Sequence, residues 1–327
     1  MERRPPFSER TFKLERHFAA KKKVVSMTIC ISAMAAKSKA IVCIADRAVT
    51  YAATTGGPAS QSDSGAKKII DLGASRWVAL VAGDLSFAQK VTERISASLG
   101  SNRSPSRAEM QTFSRKAYQD CQQEVVIEQV LVPNLLTVDD YLRRPNSQLP
   151  LDTKYTLEIA EMIAAVQSDC ALIICGFDTQ GAHIFKVTDG GAISPCDMEG
   201  YAVVGGGEDA SRGRIIWSQI DRAESLESVM YDVFDAKVAA EIVQSVGYVW
   251  DWKILVAGKR PQNVPRIIDD LIDRLWISSN RSPYAEKLGK RQMPPRGWKT
   301  KFSRFADKAL APVAVRRSAS RKSKGRQ

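Results

Sequence analysis

TICISAMAAKSKAIVCIAD, residues 28–46, consists of two short apolar runs, 28–35 and 40–46, on either side of the basic triplet Lys37-Ser38-Lys39. Two strands joined by a tight turn, a hairpin with a buried face, explain that pattern. Cys30 lies between Ile29 and Ile31, where cysteine behaves as a small hydrophobe. Past the hairpin, the Gly/Ser/Thr-rich residues 53–65 read as a loop. A second strand pair follows, 67–72 (KKIIDL) and 76–82 (RWVALVA), turning at Gly73-Ala74-Ser75 and closing before Gly83.

After Gly83 the apolar spacing becomes helical, at Phe87, Val91, Ile95 and Leu99, with Asp84 or Ser86 available as the cap. A longer helix is predicted over 106–130, a loop with one short helix over 132–148, and an amphipathic helix over 151–166. Strands return at 170–177 (CALIICGF), 182–188 (AHIFKVT) and 200–204 (YAVVG). Helices at about 208–222 and 225–244 then lead to a last strand, 252–257 (WKILVA), and to one more helix at 264–278. Strands, helices, strands, helices and a strand suit a layered α+β domain of packed sheets with outer helices better than strict βαβ alternation.

The formal net charge of +12 is not spread along the chain. Residues 285–327 carry 14 Lys and Arg against 2 Asp and Glu, and residues 1–26 carry 8 against 3, so the body between them is mildly acidic. Residues 1–26 read as a basic leader, a mis-assigned start or a removable extension; 27–258 as the folded domain; 259–284 as a helical extension; and 285–327 as a basic, disordered tail. Trp298, Phe302 and Phe305 among the tail's basic residues leave weak nucleic-acid contact open, with a solvated tail as the preferred alternative. Six cysteines embedded in apolar runs fit a reduced, cytoplasmic setting, and no apolar run reaches the roughly 20 residues needed to span a bilayer.

Only two histidines are present, His17 in the leader and His183 in a strand, which removes most histidine-based catalysis. His183 reads as a strand residue with a satisfied ring. No zinc-ligand spacing occurs, so no metal is expected. Gly205-Gly206-Gly207 with Ala210 forms only a loose dinucleotide-loop pattern, so no cofactor is expected. A nucleophile that needs no histidine is an N-terminal threonine, whose own α-amine takes the hydroxyl proton. Such chemistry asks for Thr at the head of an apolar strand, Asp at the end of another, and Lys at the start of a third. Met27-Thr28-Ile29-Cys30, Ala45-Asp46-Arg47 and Lys67-Lys68-Ile69-Ile70 meet it. Each residue also has a plainer reading: Thr28 as an ordinary strand residue, Asp46 as a strand-end carboxylate, Lys68 as a solvated edge lysine, Gly83 as a turn glycine, and Arg47 as a local charge partner.

With Val81-Ala82-Gly83-Asp84, Ile174-Cys175-Gly176-Phe177-Asp178 and Tyr201 through Gly207, these segments, in this order over residues 27–258, resemble the proteasome β-subunit family. In Met27-Thr28-Ile29-Cys30 and in Val130 to Pro133 with Leu136 to Leu142, the chain is most similar to the proteasome-like proteins of prokaryotes. The resemblance implies an N-terminal-nucleophile hydrolase, a four-layer αββα sandwich of two antiparallel sheets with outer helices. It implies Thr28 as nucleophile, Asp46 and Lys68 as the charge pair, with Lys67 the competing lysine, and the Gly83 amide as oxyanion donor. The implied activity is threonine-type hydrolysis of peptide or amide bonds by a homo-oligomer, with an unfoldase as a further partner. A catalytically inactive assembly protein of the same fold is the alternative.

Three positions depart from the family pattern. Gly206 stands where the family has Ser in the Val-Gly-Ser-Gly turn, and Ile242 stands near the place of a late Asp, with Glu241 one residue away. Ser245-Val246-Gly247 resembles the Ser-Gly-Gly segment. Met27, not Gly, precedes Thr28, so exposure of Thr28 by methionine removal after translation from Met27 is the expected route to a free amine.

Overall fold

The computed structural model describes residues 28–51, 60–62, 65–100, 104–142, 153–243, 246–278 and 298–311. The leader and residues 312–327 of the tail lie outside them, as does most of the 53–65 stretch. In chain order, strands β1 (Ile29–Ala35), β2 (Ala40–Asp46), β3 (Val49–Tyr51), β4 (Ser60–Ser62), β5 (Ile69–Asp71) and β6 (Trp77–Gly83) precede helices α1 (Leu85–Leu99) and α2 (Arg107–Val126). α2 continues through a π-helical turn, Ile127–Leu131, and a 3-10 turn, Val132–Asn134, to α3 (Val138–Leu142) and α4 (Thr153–Ala164). Strands β7 (Cys170–Phe177), β8 (Ala182–Thr188), β9 (Ala192–Pro195) and β10 (Tyr201–Gly205) follow. The chain then forms α5 (Glu208–Ser218), α6 (Leu226–Ala240), β11 (Trp250–Val256), β12 (Gln262–Asn263), α7 (Arg266–Ser278) and α8 (Trp298–Leu310).

β1 and β2 pair antiparallel, with Cys30 opposite Ala45 and Ala35 opposite Ala40. Both strands are buried along their whole length and on both faces, where the hairpin reading had one buried face. Ile29, Ile31 and Ala33 enter one apolar cluster while Cys30 and Met34 enter another. A strand covered on both sides reads as a continuous apolar run, which is how 28–35 and 40–46 read.

Two antiparallel five-stranded sheets result, ordered β10-β1-β2-β11-β12 and β5-β6-β7-β8-β9. They stack: Cys30, Met34, Ile41 and Cys43 of the first meet Val78, Leu80, Ile173 and Cys175 of the second. Behind the first sheet, Met230, Val233 and Phe234 of α6 and Ile272 and Trp276 of α7 pack on Ile31, Val42 and Ile44. Behind the second, Phe87, Val91 and Ile95 of α1 and Tyr118 of α2 pack on Trp77, Ala79 and Val81. Each fully buried large side chain contributes about 1.5–3 kcal/mol by leaving water. The α+β layering expected from the sequence is therefore present as helices, sheet, sheet, helices.

Local signals explain the element ends. Asp84 caps α1, its carboxylate accepting from the Ser86 and Phe87 amides at 2.8 and 3.1 Å. Ser106 and Glu109 form a reciprocal capping box at the start of α2. β9 and the Ser60–Ser62 strand, which pairs with Val49–Tyr51, were not signalled, being short and weakly patterned.

The C-terminal tail needs correction. Residues 298–310 form α8, and Phe302, Ala306 and Ala309 are buried in the cluster behind the first sheet. Their 3–4 residue spacing makes one apolar stripe on an otherwise basic helix. Phe305 packs against the same cluster, so Phe302 and Phe305 serve packing and are not offered to nucleic-acid bases. Lys259 Nζ donates to the Ala309 carbonyl near the helix end, a favoured place for a cation. No helix among the described residues is long and apolar enough to cross a membrane.

Candidate active site

Thr28 immediately precedes β1 and Asp46 ends β2, and the antiparallel register brings these two chain positions to the same end of the first sheet. The second sheet supplies the lysine. Val81 of β6 links both sheets, its N–H donating to the Lys68 carbonyl at 2.9 Å and its carbonyl accepting from Cys30 Sγ at 3.2 Å. Lys68, just ahead of β5, is thereby carried across to Thr28.

Lys68 Nζ donates to Thr28 Oγ1 and, at 3.0 Å, to Asp46 Oδ1, while Thr28 Oγ1 donates to Asp46 Oδ1. The carboxylate is held from two further directions: the Ile29 amide reaches Oδ1 at 2.9 Å and the Gly247 amide reaches Oδ2 at 3.0 Å. Thr28, Asp46 and Lys68 are 2%, 0% and 2% exposed. The plainer reading of Lys68 as a solvated edge lysine therefore fails, whereas Asp46 is both a strand-end carboxylate and a partner of Thr28. An ion pair withdrawn from water is tolerated only with additional hydrogen bonds on its free lone pairs, which the two amides provide. Lys67, by contrast, is exposed and lines a separate groove. Of the competing lysines, Lys68 is the one that meets Thr28.

Neighbouring groups are accounted for. Burial pushes the Cys30 thiol far above its ordinary value, and Lys68 offsets only part of that, so the thiol stays protonated and unreactive. Arg47 forms a two-pronged pair with Asp251 on the adjacent strand, its Nε 2.9 Å from Oδ2, as a local charge partner. His183 has Asp178 and Asp197 each 3.0 Å from a ring nitrogen and stacks on Trp77, the satisfied strand residue its position suggested.

Two strand-end glycines make close backbone approaches, and only Gly205 makes its approach to Thr28. Gly205, at the end of β10, has φ +114°, and a Cβ there would lie 2.2 Å from the Thr28 carbonyl oxygen. Gly83, at the end of β6, has φ +108°, and a Cβ would lie 1.9 Å from the Asp169 carbonyl oxygen. Only glycine accommodates either close approach. A recess of about 320 Å³ beside Gly205 is lined by Ala82, Gln167, Asp169, Cys170, Ala171 and Asp189; Thr28, Asp46 and Lys68 are not among its lining residues.

The departures from the family pattern have structural counterparts. Gly206 is exposed beside Gly205. Gly207 is the N-cap of α5 and is packed so closely that a Cβ would meet Ala240 at 2.6 Å, so this glycine serves helix packing. Ile242 is 78% exposed, and Glu241 pairs with Lys237. Ser245 lies outside the described residues.

The sequence offers Gly247 only within Ser245-Val246-Gly247, without a role, and gives Lys237 none. Gly247 acts through its backbone, which leaves no residue-type signature. Lys237, 0% exposed, extends along the apolar stripe of α6 to Glu241 and to the face of Trp250, 4.1 Å from the ring centroid. Burial lowers the Lys237 ammonium pKa and raises the Glu241 carboxyl pKa, with the mutual attraction opposing both shifts. The available signal was a lysine inside an otherwise apolar helix stripe. Among the described residues no cluster of three or more His, Cys, Asp or Glu is placed to hold a metal ion.

Compared with protein-family models and with curated proteins, the chain matches none.

Proposed function

We propose that this chain is a threonine-nucleophile amide or peptide-bond hydrolase of the proteasome β-subunit type, built on the N-terminal-nucleophile fold and active when Thr28 is the mature N-terminus. The observation that carries the reading is the convergence of Lys68 Nζ and Asp46 Oδ1 on Thr28 Oγ1 in a buried, otherwise satisfied site. In an edge position an uncommitted lysine costs little; here Lys68 is desolvated, a costly arrangement repaid by chemistry at the hydroxyl.

The α-amine of an N-terminal Thr28 takes the Oγ1 proton, directly or through water, as Oγ1 attacks the substrate carbonyl carbon. The Lys68 ammonium stabilises the alkoxide character and disfavours protonation of the amine, and Asp46 holds the ammonium in place. The tetrahedral oxyanion faces the Gly83 amide. Collapse breaks the carbon–nitrogen bond, the departing amine takes the proton from the α-ammonium, and water later cleaves the Thr28 ester. Oligomer formation and an unfoldase partner belong to this proposal by resemblance alone.

Treatment with a proteasome-type β-lactone or epoxyketone, followed by mass spectrometry of the intact protein and of its N-terminus, tests the reading. A single adduct on Thr28 in a chain that begins there is the expected result. Labelling that persists in Thr28→Ala overturns it. A second reading, an inactive assembly protein of the same fold, is favoured by Gly206 at the family's serine position and by the peptide bond that Met27 makes to Thr28 in the full sequence. A native protein whose N-terminus lies ahead of Thr28, and which takes no label, would select that second reading.

A further inference from the structure

Asp46 is held unevenly. Its Oδ1 accepts from Lys68 Nζ, Thr28 Oγ1 and the Ile29 amide, whereas among the described residues its Oδ2 accepts only from the Gly247 amide, at 3.0 Å. The last torsion of an aspartate is broad, so an external bond has to set its angle. Losing the Gly247 amide would let the carboxylate turn and carry Oδ1 away from Lys68. The backbone position of Gly247 therefore bears on the whole site.

Gly247 follows α6, whose end carries an unfavourable charge. Glu241 is the C-cap of that helix, where a carboxylate faces the negative end of the helix dipole. Lys237, one turn earlier and fully buried, offsets that charge by pairing directly with Glu241. Past the cap, the Val243 amide donates to the Ala240 carbonyl at 2.9 Å, and the Val246 amide to the Val243 carbonyl at 3.0 Å. Val246 is buried and packs with Ala240 against Gly207, where a Cβ would lie 3.0 Å from Val246 Cγ2.

Lys237 also touches the second support of Asp46. Its Nζ lies 4.1 Å from the ring centroid of Trp250, the residue paired with Asp46 between β11 and β2. Phe234 fixes the Trp250 ring in a T-shaped contact, and Asp269 accepts from its indole N–H at 2.6 Å. Burial works against the Lys237 ammonium, and after Glu241 the charge of Asp46 favours it.

We propose that Lys237 is a positioning residue for Asp46: paired with Glu241 and seated on Trp250, it fixes the C-terminal end of α6 and keeps the Gly247 amide on Asp46 Oδ2. Its bearing on a reaction rests on the hydrolase reading; the placement of Gly247 does not.

The test compares the wild-type protein with Lys237→Met, with Lys237→Met combined with Glu241→Gln, and with Phe302→Ala, at a temperature where all are folded. Phe302→Ala removes packing behind the same sheet, at a residue outside the site, and controls for lost stability. By heteronuclear NMR of protein labelled at glycine, the Gly247 amide proton is expected to move upfield in both Lys237 variants, as its bond to a carboxylate is lost, and to stay in place in Phe302→Ala. The rate constant for β-lactone labelling of Thr28 is expected to fall about tenfold in both Lys237 variants and to change less than about twofold in Phe302→Ala. That fall persists in the double variant although removing both charges restores stability. A Gly247 signal unmoved in Lys237→Met, an equal displacement in Phe302→Ala, or labelling restored together with stability in the double variant would each overturn the inference. If the wild-type chain takes no β-lactone, the hydrolase reading falls and the Gly247 signal alone decides the positioning of Asp46. If it is labelled and the signal does not move, the hydrolase reading stands and the positioning falls.

Discussion

The Lys68 ammonium lies 3.0 Å from Asp46 Oδ1, with the two side chains 2% and 0% exposed. Breaking a buried pair from one side leaves the other charge without compensation, at a cost of about 3–5 kcal/mol. Lys68→Met is expected to lower stability by that amount in urea unfolding and to eliminate β-lactone labelling of Thr28. Lys67→Met is expected to leave both within about the 0.5 kcal/mol range of surface substitutions. Loss of labelling in Lys67→Met with retention in Lys68→Met would reverse the assignment.

Gly205 approaches Thr28 in a backbone conformation that side chains rarely adopt, with no space for a Cβ. Gly205→Ala is expected to cost about 2–4 kcal/mol and to displace the first residue of the site. Thermal unfolding reads the first effect and labelling kinetics the second. A variant as stable as the parent would show that β10 withdraws freely from Thr28.

Lys237, fully buried, pairs with the half-buried Glu241 behind the first sheet. Lys237→Met alone strands Glu241 and is expected to cost about 3–5 kcal/mol, whereas Lys237→Met combined with Glu241→Gln recovers much of that loss. A double-mutant cycle by chemical denaturation measures the difference. Additive losses would show that the two charges do not compensate one another.

Asp178 titrates below its ordinary value near 3.8: burial alone would raise it, but the Arg107 and Gln180 amides and His183 outweigh burial. A depressed carboxyl contributes stability that is present in full above the ordinary value and is lost as pH falls towards the folded value. The gap in Tm between the parent and Asp178→Asn is therefore expected to be widest near neutrality and to narrow below about pH 3.8. A gap that widens in acid would contradict this sign.

Phe302 is 3% exposed in the cluster behind the first sheet. Phe302→Ala is expected to cost about 3 kcal/mol, and amides of 298–310 to be protected from hydrogen exchange in the parent. Unprotected amides there would restore the view of a tail without structure.

Much of this protein was legible before any coordinates. Residues 28–46 declared two strands because two mostly apolar runs flank the turn Lys37-Ser38-Lys39, and Asp84, offered with Ser86 as a cap, announced a helix start because its side chain satisfies free amides. The α8 helix was hidden: its stripe of Phe302, Ala306 and Ala309 is thin, and basic residues dominate the composition around it. β9 and β12 carried too few residues to show a period.

Thr28, Asp46 and Lys68 were nameable one by one from strand starts and ends, since residue type and strand position are properties of the chain. Their union was not. It depends on a register that aligns the head of β1 with the end of β2, and on the stacking of two sheets that brings Lys68 over Thr28. The resemblance had favoured Lys68 over Lys67, and the structure buries Lys68 against Thr28 while Lys67 is exposed, because neighbouring residues in an extended segment point to opposite sides. The Gly247 amide and the Lys237–Glu241 pair likewise exist as features only once distant segments are packed, where burial turns ordinary polar groups into strong electrostatic partners.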